Sequence, residues 1–364
     1  MGLDVDDLSF HGCVIAEGQT QGTEFRCKPS IGALVKKLKS FQKDPSQLKL
    51  CYEATYLGYW LQRDLSRQGF DCEIIAPTSI PRTPGSRIKT DRIDANRLAI
   101  FYQKGLLQPI YIPGLQQECV RDFIRSRRFL KEQGKALKLH LLMHCRRLGI
   151  DYKQERKTSK FSYWTRPHWD WLKREIAQLS NEVAKINLTL LIGQLSSLQE
   201  QVRIYESPIA QVAGQPDYQD KVYALTCFRG LDVLSAMTLI TEIGDIHRFS
   251  HPRRLTSYAG MDLREYSSGG KQRRYGISKM GNRYIRTVLV EASQSVLKAP
   301  VVSKHLKQRR QATPPQVVEI SDRCMKRLYK KAIHLFHAGK ARNKIKMACA
   351  REMLAFVWEA LRTV

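Results

Sequence analysis

The apolar periodicity of this chain changes near residue 113, and that change limits the folds open to it. Before it, short apolar runs alternate with amphipathic ones. "LDVDDLSFHGCVIAEG" and then "TEFRCKPS" predict a strand, a turn and further pairing strands. "IGALVKKLKSFQ" predicts a helix, "LKLCYEAT" a strand, "YLGYWLQRDLSRQG" a helix and "DCEIIAP" a strand; a last helix opens at Thr90. Three strands followed by helix, strand, helix, strand and helix is a compact α/β order.

Beyond it the spacing lengthens to threes and fours. Val120, Phe123, Leu130, Leu137, Leu141 and Leu148 follow that spacing, with gaps at Arg127, Gly134 and His144. Leu172, Ile176, Leu179, Val183, Ile186 and Leu190 follow it without a gap, and the phase then shifts to Leu191, Leu195, Leu198 and Val202. Such runs predict long helices packed as a coiled coil, within the chain or between protomers. The rest is expected to be mainly α-helical, with a Gly-, Ser- and Arg-rich section at "YSSGGKQRRYGISKMGNRYIR". Three domains are expected: an α/β domain over 1–112 whose element order matches the ribonuclease-H-like arrangement, a helical coiled-coil section over 113–210, and a mainly α domain over 219–364.

Lys and Arg number 61 against 34 Asp and Glu, a formal net charge of +27. An excess this large points to a polyanionic partner, and its spread over several segments suggests a long binding surface. None of the nine cysteines forms a Cys-x-x-Cys pair, and most sit in apolar contexts, as reduced thiols of a cytoplasmic protein do. The start of the chain lacks a secretory pattern, and apolar stretches such as "LTLLIG" are too short to span a bilayer, so no membrane partner is expected.

Against that basic background four acids stand out: Asp4 in the first strand, Glu53 at the end of a strand, and Asp91 and Asp94 in a helix start. Carboxylates brought together repel unless a cation or proton lies between them. Residues i and i+3 share a helix face, which pairs Asp91 with Asp94. Asp4 and Glu53 could face that helix, with Asp6 in reserve on the face of Asp4 and Asp7 pointing away. Phosphodiester cleavage can use two divalent ions to activate one oxygen and stabilise another, and hard cations take oxygen ligands. Each acid alone also suits a blander role: a helix N-terminus favours Asp91, and a strand end exposes Glu53.

The pair Ser267–Ser268 precedes two glycines and then Lys271, Arg273 and Arg274. Glycines let a backbone approach phosphate closely, cations can offset charge on a transferring phosphoryl group, and a serine can act as nucleophile. The same four letters also suit a flexible loop. Lys279, Arg283 and Arg286 extend the basic section, and Arg323, Lys326, Arg327, Lys330 and Lys331 lie on a predicted helix as a phosphate track or a solvated face. Trp164, Trp169 and Trp171 either stack on unpaired bases or plug the end of the helical hairpin.

Several segments resemble the DEDD transposases of bacterial insertion sequences, relatives of Piv-type DNA invertases. They are "GLDV", "YEATYLGYWL", "IAPTSIPRTPGSRIKTDRIDANRLA", "EIGDIHRFSHPRRLTSYAGM", "SSGGKQRRYGISKMGNRYIR" and "AREML". The resemblance implies a RuvC-like nuclease domain in which Asp4, Glu53, Asp91 and Asp94 are catalytic and hold Mg2+ or Mn2+. It also implies a C-terminal transposase domain whose nucleophilic serine matches Ser268, with Ser267 adjoining. It further implies donor and target DNA as partners, a structured guide (bridge) RNA, and a homo-oligomer, dimer or tetramer, in a bacterial cytoplasm at the nucleoid. Metal-dependent junction or RNA-processing cleavage without a covalent step, and a guide-RNA scaffold whose catalysis has lapsed, are the alternatives. Three departures are visible: "DVDD" lacks the lysine that often follows the family's first aspartate, Ser267 beside Ser268 leaves the nucleophile open to a shift by one residue, and Asp232 replaces the second glycine of a helix-hairpin-helix-like turn in "FRGLDVLSA".

Overall fold

The computed structural model describes residues 1–81, 90–155, 162–268 and 271–364. They form two compact units, Met1–Pro113 and Gly114–Val364.

Unit 1 is built on a mixed five-stranded sheet. Its elements are β1 (Gly2–Val5), β2 (Phe10–Val14), β3 (Thr23–Cys27), α1 (Ile31–Phe41), β4 (Lys49–Glu53), α2 (Trp60–Arg67), β5 (Asp71–Ile75) and α3 (Asp91–Gln103). The strand order is β3-β2-β1-β4-β5, with β1, β2 and β3 antiparallel and β1, β4 and β5 parallel. The elements match the order expected from the sequence. One face of the sheet carries Leu3, Val5, Leu50, Tyr52 and Ile74, packed on Leu34 and Leu38 of α1 and Leu61 and Leu65 of α2. Full burial of each such side chain contributes roughly 1.5–3 kcal/mol. The other face carries Cys13, Cys51 and Ile75 under Ala95, Leu98 and Ala99 of α3.

Gly2 sets the distance between β1 and α3. A Cβ there would lie 2.4 Å from Ala99 N and 2.5 Å from Ala95 O. Strand and helix backbones therefore meet directly, which only glycine permits.

Unit 2 opens with two long helices, α4 (Leu115–Arg147) and α7 (Glu182–Ala213), of 33 and 32 residues, each about 50 Å long. They pack extensively on each other, with α5 (Tyr152–Glu155) and α6 (Arg166–Ala177) between them in sequence. The sequence gaps on α4 have structural answers. Gly134 is buried against α7, where an added Cβ would lie 3.9 Å from Leu195 Cδ1, and Arg127 pairs with Glu206 of α7.

The second apolar run is corrected. α6 ends at Ala177, and Asn181 caps α7 afresh, its side chain accepting from Ala184 N at 3.0 Å. That break resets the helical phase. Leu188, Leu191, Ile192 and Leu195 join the buried cluster. Val183, Ile186 and Leu190 face outward, 78%, 57% and 68% exposed.

Tyr152, Trp171 and His168 close one end of the helix pair, with Trp164 and Trp169 packed against them. Of the two roles open to these tryptophans, the structure shows the plug. Trp164 has φ +66, a strained value for a bulky residue. Its N–H donates to His168 Nδ1 at 3.2 Å, and Lys138 Nζ lies 5.3 Å from its ring centre.

The remaining elements are α8 (Pro216–Thr226), α9 (Val233–Ile243), α10 (Pro252–Tyr258), β6 (Leu263–Ser268), β7 (Lys271–Ile277), α11 (Arg283–Ala292), α12 (Lys304–Arg309), α13 (Pro315–His337) and α14 (Arg342–Thr363). Their core joins Leu225, Phe228, Leu239, Ile243, Leu289, Leu328 and Leu354. Asp232, in the turn that resembles a helix-hairpin-helix, caps α9 by accepting from Ser235 N at 2.8 Å. No helix among the described residues is long and apolar enough to cross a membrane.

Two stability predictions follow from this packing. Gly2→Val should force α3 off β1 and cost about 1–3 kcal/mol in urea unfolding of the full chain. An unchanged midpoint would contradict the close approach. The second concerns His168, which is fully buried, so burial lowers its pKa from the usual 6.5 to about 4. The unfolded chain then takes up a proton that the fold refuses, and stability falls as pH drops from about 6.5 towards 4, by up to about 3 kcal/mol. His168→Gln, which keeps an acceptor for Trp164 N–H, should flatten that slope in thermal melts. An equal slope in both proteins would remove His168 as its cause.

Candidate active site

Strand alternation and register set the acidic end of unit 1. Leu3 and Val5 face α1 and α2, so Gly2 and Asp4 face α3. On β4 the Sγ of Cys51 lies 3.9 Å from Leu98 O of α3, which places Glu53, two residues on, on the same face. The parallel register pairs Gly2 with Cys51 and Leu3 with Tyr52, and its continuation sets Asp4 beside Glu53. Both acids are half-buried at the carboxyl ends of adjacent parallel strands. Open α/β sheets bind ligands at that end.

Thr90 caps α3, its hydroxyl accepting from Ile93 N at 3.3 Å. That cap begins the helix at Asp91, so Asp91 and Asp94 extend the sheet-facing stripe of Ala95, Leu98 and Ala99 by one turn. His11 ties this helix start to the strands. It sits opposite Asp4 in the β1–β2 register, with Nε2 3.7 Å from Asp91 Oδ2 and 3.1 Å from Ser9 Oγ. Sequence reasoning missed His11. Its place opposite Asp4 is set by strand pairing, which no spacing in the sequence shows.

The four acids therefore share one face and one end of the sheet. They do not close into a cage: among the described residues, no three His, Cys, Asp or Glu side chains are grouped so as to hold a metal ion. Asp91 is largely in solvent, its side chain 61% exposed and beside His11. Asp6, the reserve ligand, is exposed and accepts from Leu8 N at 2.9 Å, closing the turn into β2. Arg92 holds the helix start to β3 through Glu24 at 3.1 Å.

In unit 2 the serine segment is a hairpin. Strands β6 and β7 pair antiparallel with Ser267 opposite Gln272 and Ser268 opposite Lys271; Gly269 and Gly270 lie outside the described residues. Arg273 and Arg274 follow on β7. The hairpin stands in a section expected to be mainly helical. Two of its tyrosines are exposed, Tyr266 by 71% and Tyr275 by 51%.

The predicted cations divide by environment. Lys279 and Arg283 are exposed. Arg286 is instead a backbone clamp, donating to Ala259 O at 2.7 Å and Gly281 O at 3.1 Å. On α13, Arg323 pairs with Glu359, and Arg327 and Lys331 with Glu352, all across to α14. Those pairs spend much of the charge read as a phosphate track. Lys326 and Lys330 are exposed with no ion pair among the described residues.

Comparison with known proteins returns a consistent family. Residues 1–148 match the IS110-type DEDD transposase model, and residues 223–308 match the model described as transposase IS116/IS110/IS902 family. The chain is 30% identical to a putative transposase (y4qE) of Sinorhizobium fredii, over 100% of this chain and 88% of the relative. It is 28% identical to the transposase for insertion sequence element IS1533 of Leptospira borgpetersenii, over 87% of this chain and 88% of the relative. A third relative is the transposase for insertion sequence element IS1111A of Coxiella burnetii, at 25% identity over 66% of this chain and 63% of the relative.

Proposed function

The chain belongs to the IS116/IS110/IS902 transposase family, and on that footing we propose a site-specific, RNA-guided DNA recombinase that cleaves and rejoins DNA through a serine ester. The observation that carries this reading is the placement of Asp4, Glu53, Asp91 and Asp94 on one face and one end of the sheet, inside the segment that matches the DEDD model. The strand order β3-β2-β1-β4-β5, with α1 and α2 on one face and α3 on the other, supports a ribonuclease-H-like, RuvC-like domain.

The donors at this end are all carboxylate oxygens, a set that fits a hard divalent cation. Asp4, Glu53, Asp91 and Asp94 would hold Mg2+ or Mn2+, which when bound supplies Lewis acidity towards phosphoryl oxygens. Thr90 and Gly2 orient two of these acids by fixing where α3 begins and how closely it lies.

In the covalent step the Ser268 hydroxyl oxygen bonds to phosphorus, the phosphorus–oxygen bond to the leaving sugar breaks, and that oxygen takes up a proton. A sugar hydroxyl then attacks the serine ester, and Ser268 recovers its proton. One phosphoester replaces another at each step, so rejoining needs no external energy source.

The net charge of +27 supports a polyanionic partner, donor and target DNA with a guide RNA whose base pairing would select the sites. The outward stripe Val183, Ile186 and Leu190 on α7 supports assembly into a dimer or tetramer.

Protein, guide RNA and DNA incubated with Mg2+ should yield a protein–DNA adduct. Ser268→Ala and Asp94→Ala should each lower adduct yield by about a hundredfold or more. Cleavage that survives Ser268→Ala would favour a simple metal-dependent nuclease, and an adduct that survives it but not Ser267→Ala would move the nucleophile by one residue. On α13, K326Q/K330Q should reduce the salt dependence of DNA binding by about two ions. Arg323→Gln with Arg327→Gln should reduce it less, because both arginines are paired within the protein. Equal slopes would place the DNA elsewhere.

A further inference from the structure

Glu242 lies near the end of α9 with its side chain only 2% exposed. Arg125 of α4 grips both of its oxygens, Nε donating to Oε1 at 2.7 Å and Nη2 to Oε2 at 2.8 Å. Asn282 Nδ2 donates to Oε2 at 2.6 Å. The other end of the same amide caps α11: Asn282 Oδ1 accepts from Tyr284 N at 2.9 Å and Ile285 N at 3.2 Å.

This network reaches the base of the serine hairpin. Asn282 N–H donates to Tyr258 O at 2.8 Å, and the Tyr258 hydroxyl donates to Glu242 O at 3.1 Å. The two legs of the hairpin are stitched together below β6 and β7, with Ser278 N donating to Asp262 O and Lys279 N to Gly260 O. Gly281 lets them approach: at φ +154, a Cβ would lie 2.4 Å from Tyr258 O. Glu242 thus connects α4, α9 and the foot of the strands that carry Ser268.

A buried ion pair is a poor source of stability, since desolvation offsets most of its attraction, but its geometry is demanding. A nucleophile needs that kind of definition, because small displacements from a near-attack position are costly. We propose that Glu242 is the positioning residue of the serine hairpin, setting through Asn282 and Arg125 the base from which Ser268 is presented to DNA. The inference rests on Ser268 being the nucleophile.

The test compares wild type with Glu242→Gln and Arg125→Lys in the full chain with guide RNA. Leu172→Ala, in the distant helical tip, controls for lost stability. Each protein is measured for melting, DNA affinity and single-turnover adduct formation at saturating DNA. Glu242→Gln and Arg125→Lys should bind DNA within about twofold of wild type yet form adduct more slowly, by on the order of tenfold to a hundredfold. Leu172→Ala should melt earlier and keep its rate. Asn282→Asp sets two carboxylates face to face and should lose rate; E242Q/N282D exchanges donor and acceptor and should recover it. Wild-type rates in Glu242→Gln, or a rate that falls only with the folded or DNA-bound fraction, would overturn the proposal. Amide exchange gives a readout independent of activity: Glu242→Gln should speed exchange at Lys279 and Asn282. Faster exchange in Glu242→Gln, with no adduct formed even by the wild type, would sink the serine reading while leaving the clamp, and unchanged exchange in Glu242→Gln would sink the clamp.

Discussion

The contact between β1 and α3 governs the acidic end of unit 1. With Gly2 under Ala95 and Ala99, the helix rests on strand backbone, and its position is set by hard atomic contact rather than by flexible side chains. Asp4 is two residues along the same strand face, and Asp91 and Asp94 are one helical turn before Ala95 and Leu98. The cap at Thr90 then settles where that turn begins. Three local facts, a glycine, a cap and an alternation, thus bring together acids nearly ninety positions apart in sequence. A larger residue at position 2 would loosen this arrangement without touching an acid.

Unit 1 was largely legible in the sequence because its sheet is covered on both faces. Buried runs such as "KLCYE" and "DCEII" are bounded by turns, and an amphipathic helix separates them, so element order follows directly. The placement of Asp4, Glu53, Asp91 and Asp94 on one face follows from alternation and helical spacing. What periodicity did not supply is closure. Asp91 stands in solvent beside His11, and no spacing rule predicts which neighbour a flexible carboxylate turns towards.

Unit 2 was less legible, for two physical reasons. Helical phase survives only while the helix does, and the break at Asn181 turned one apparent seam into two surfaces, Leu188–Leu195 inward and Val183–Leu190 outward. The strand sequences LREYSS and KQRRYGI, in turn, carry no apolar alternation, so β6 and β7 left only glycines and charges to read. Charge counting had a similar limit. A sum of 61 cations says nothing about which are already paired, and α14 supplies Glu352 and Glu359 to α13 at the positions where a free basic face was expected.

The acids of this basic chain stand in three kinds of surroundings. Asp232 caps α9, where a short side chain reaches a backbone N–H and little desolvation is involved. Glu242 is deeply buried, and each of its oxygens is hydrogen-bonded by Arg125 or Asn282, so its charge is fully committed inside the protein. Asp4 and Glu53 are half-buried at strand ends, and among the described residues they join no group of three metal-ligating side chains. A carboxylate buried and saturated can hold a shape but cannot take a ligand, whereas one at a strand end can exchange its partner for a cation. Under the proposed function, fold definition and chemistry fall to different acids, and depth of burial is the property that separates them.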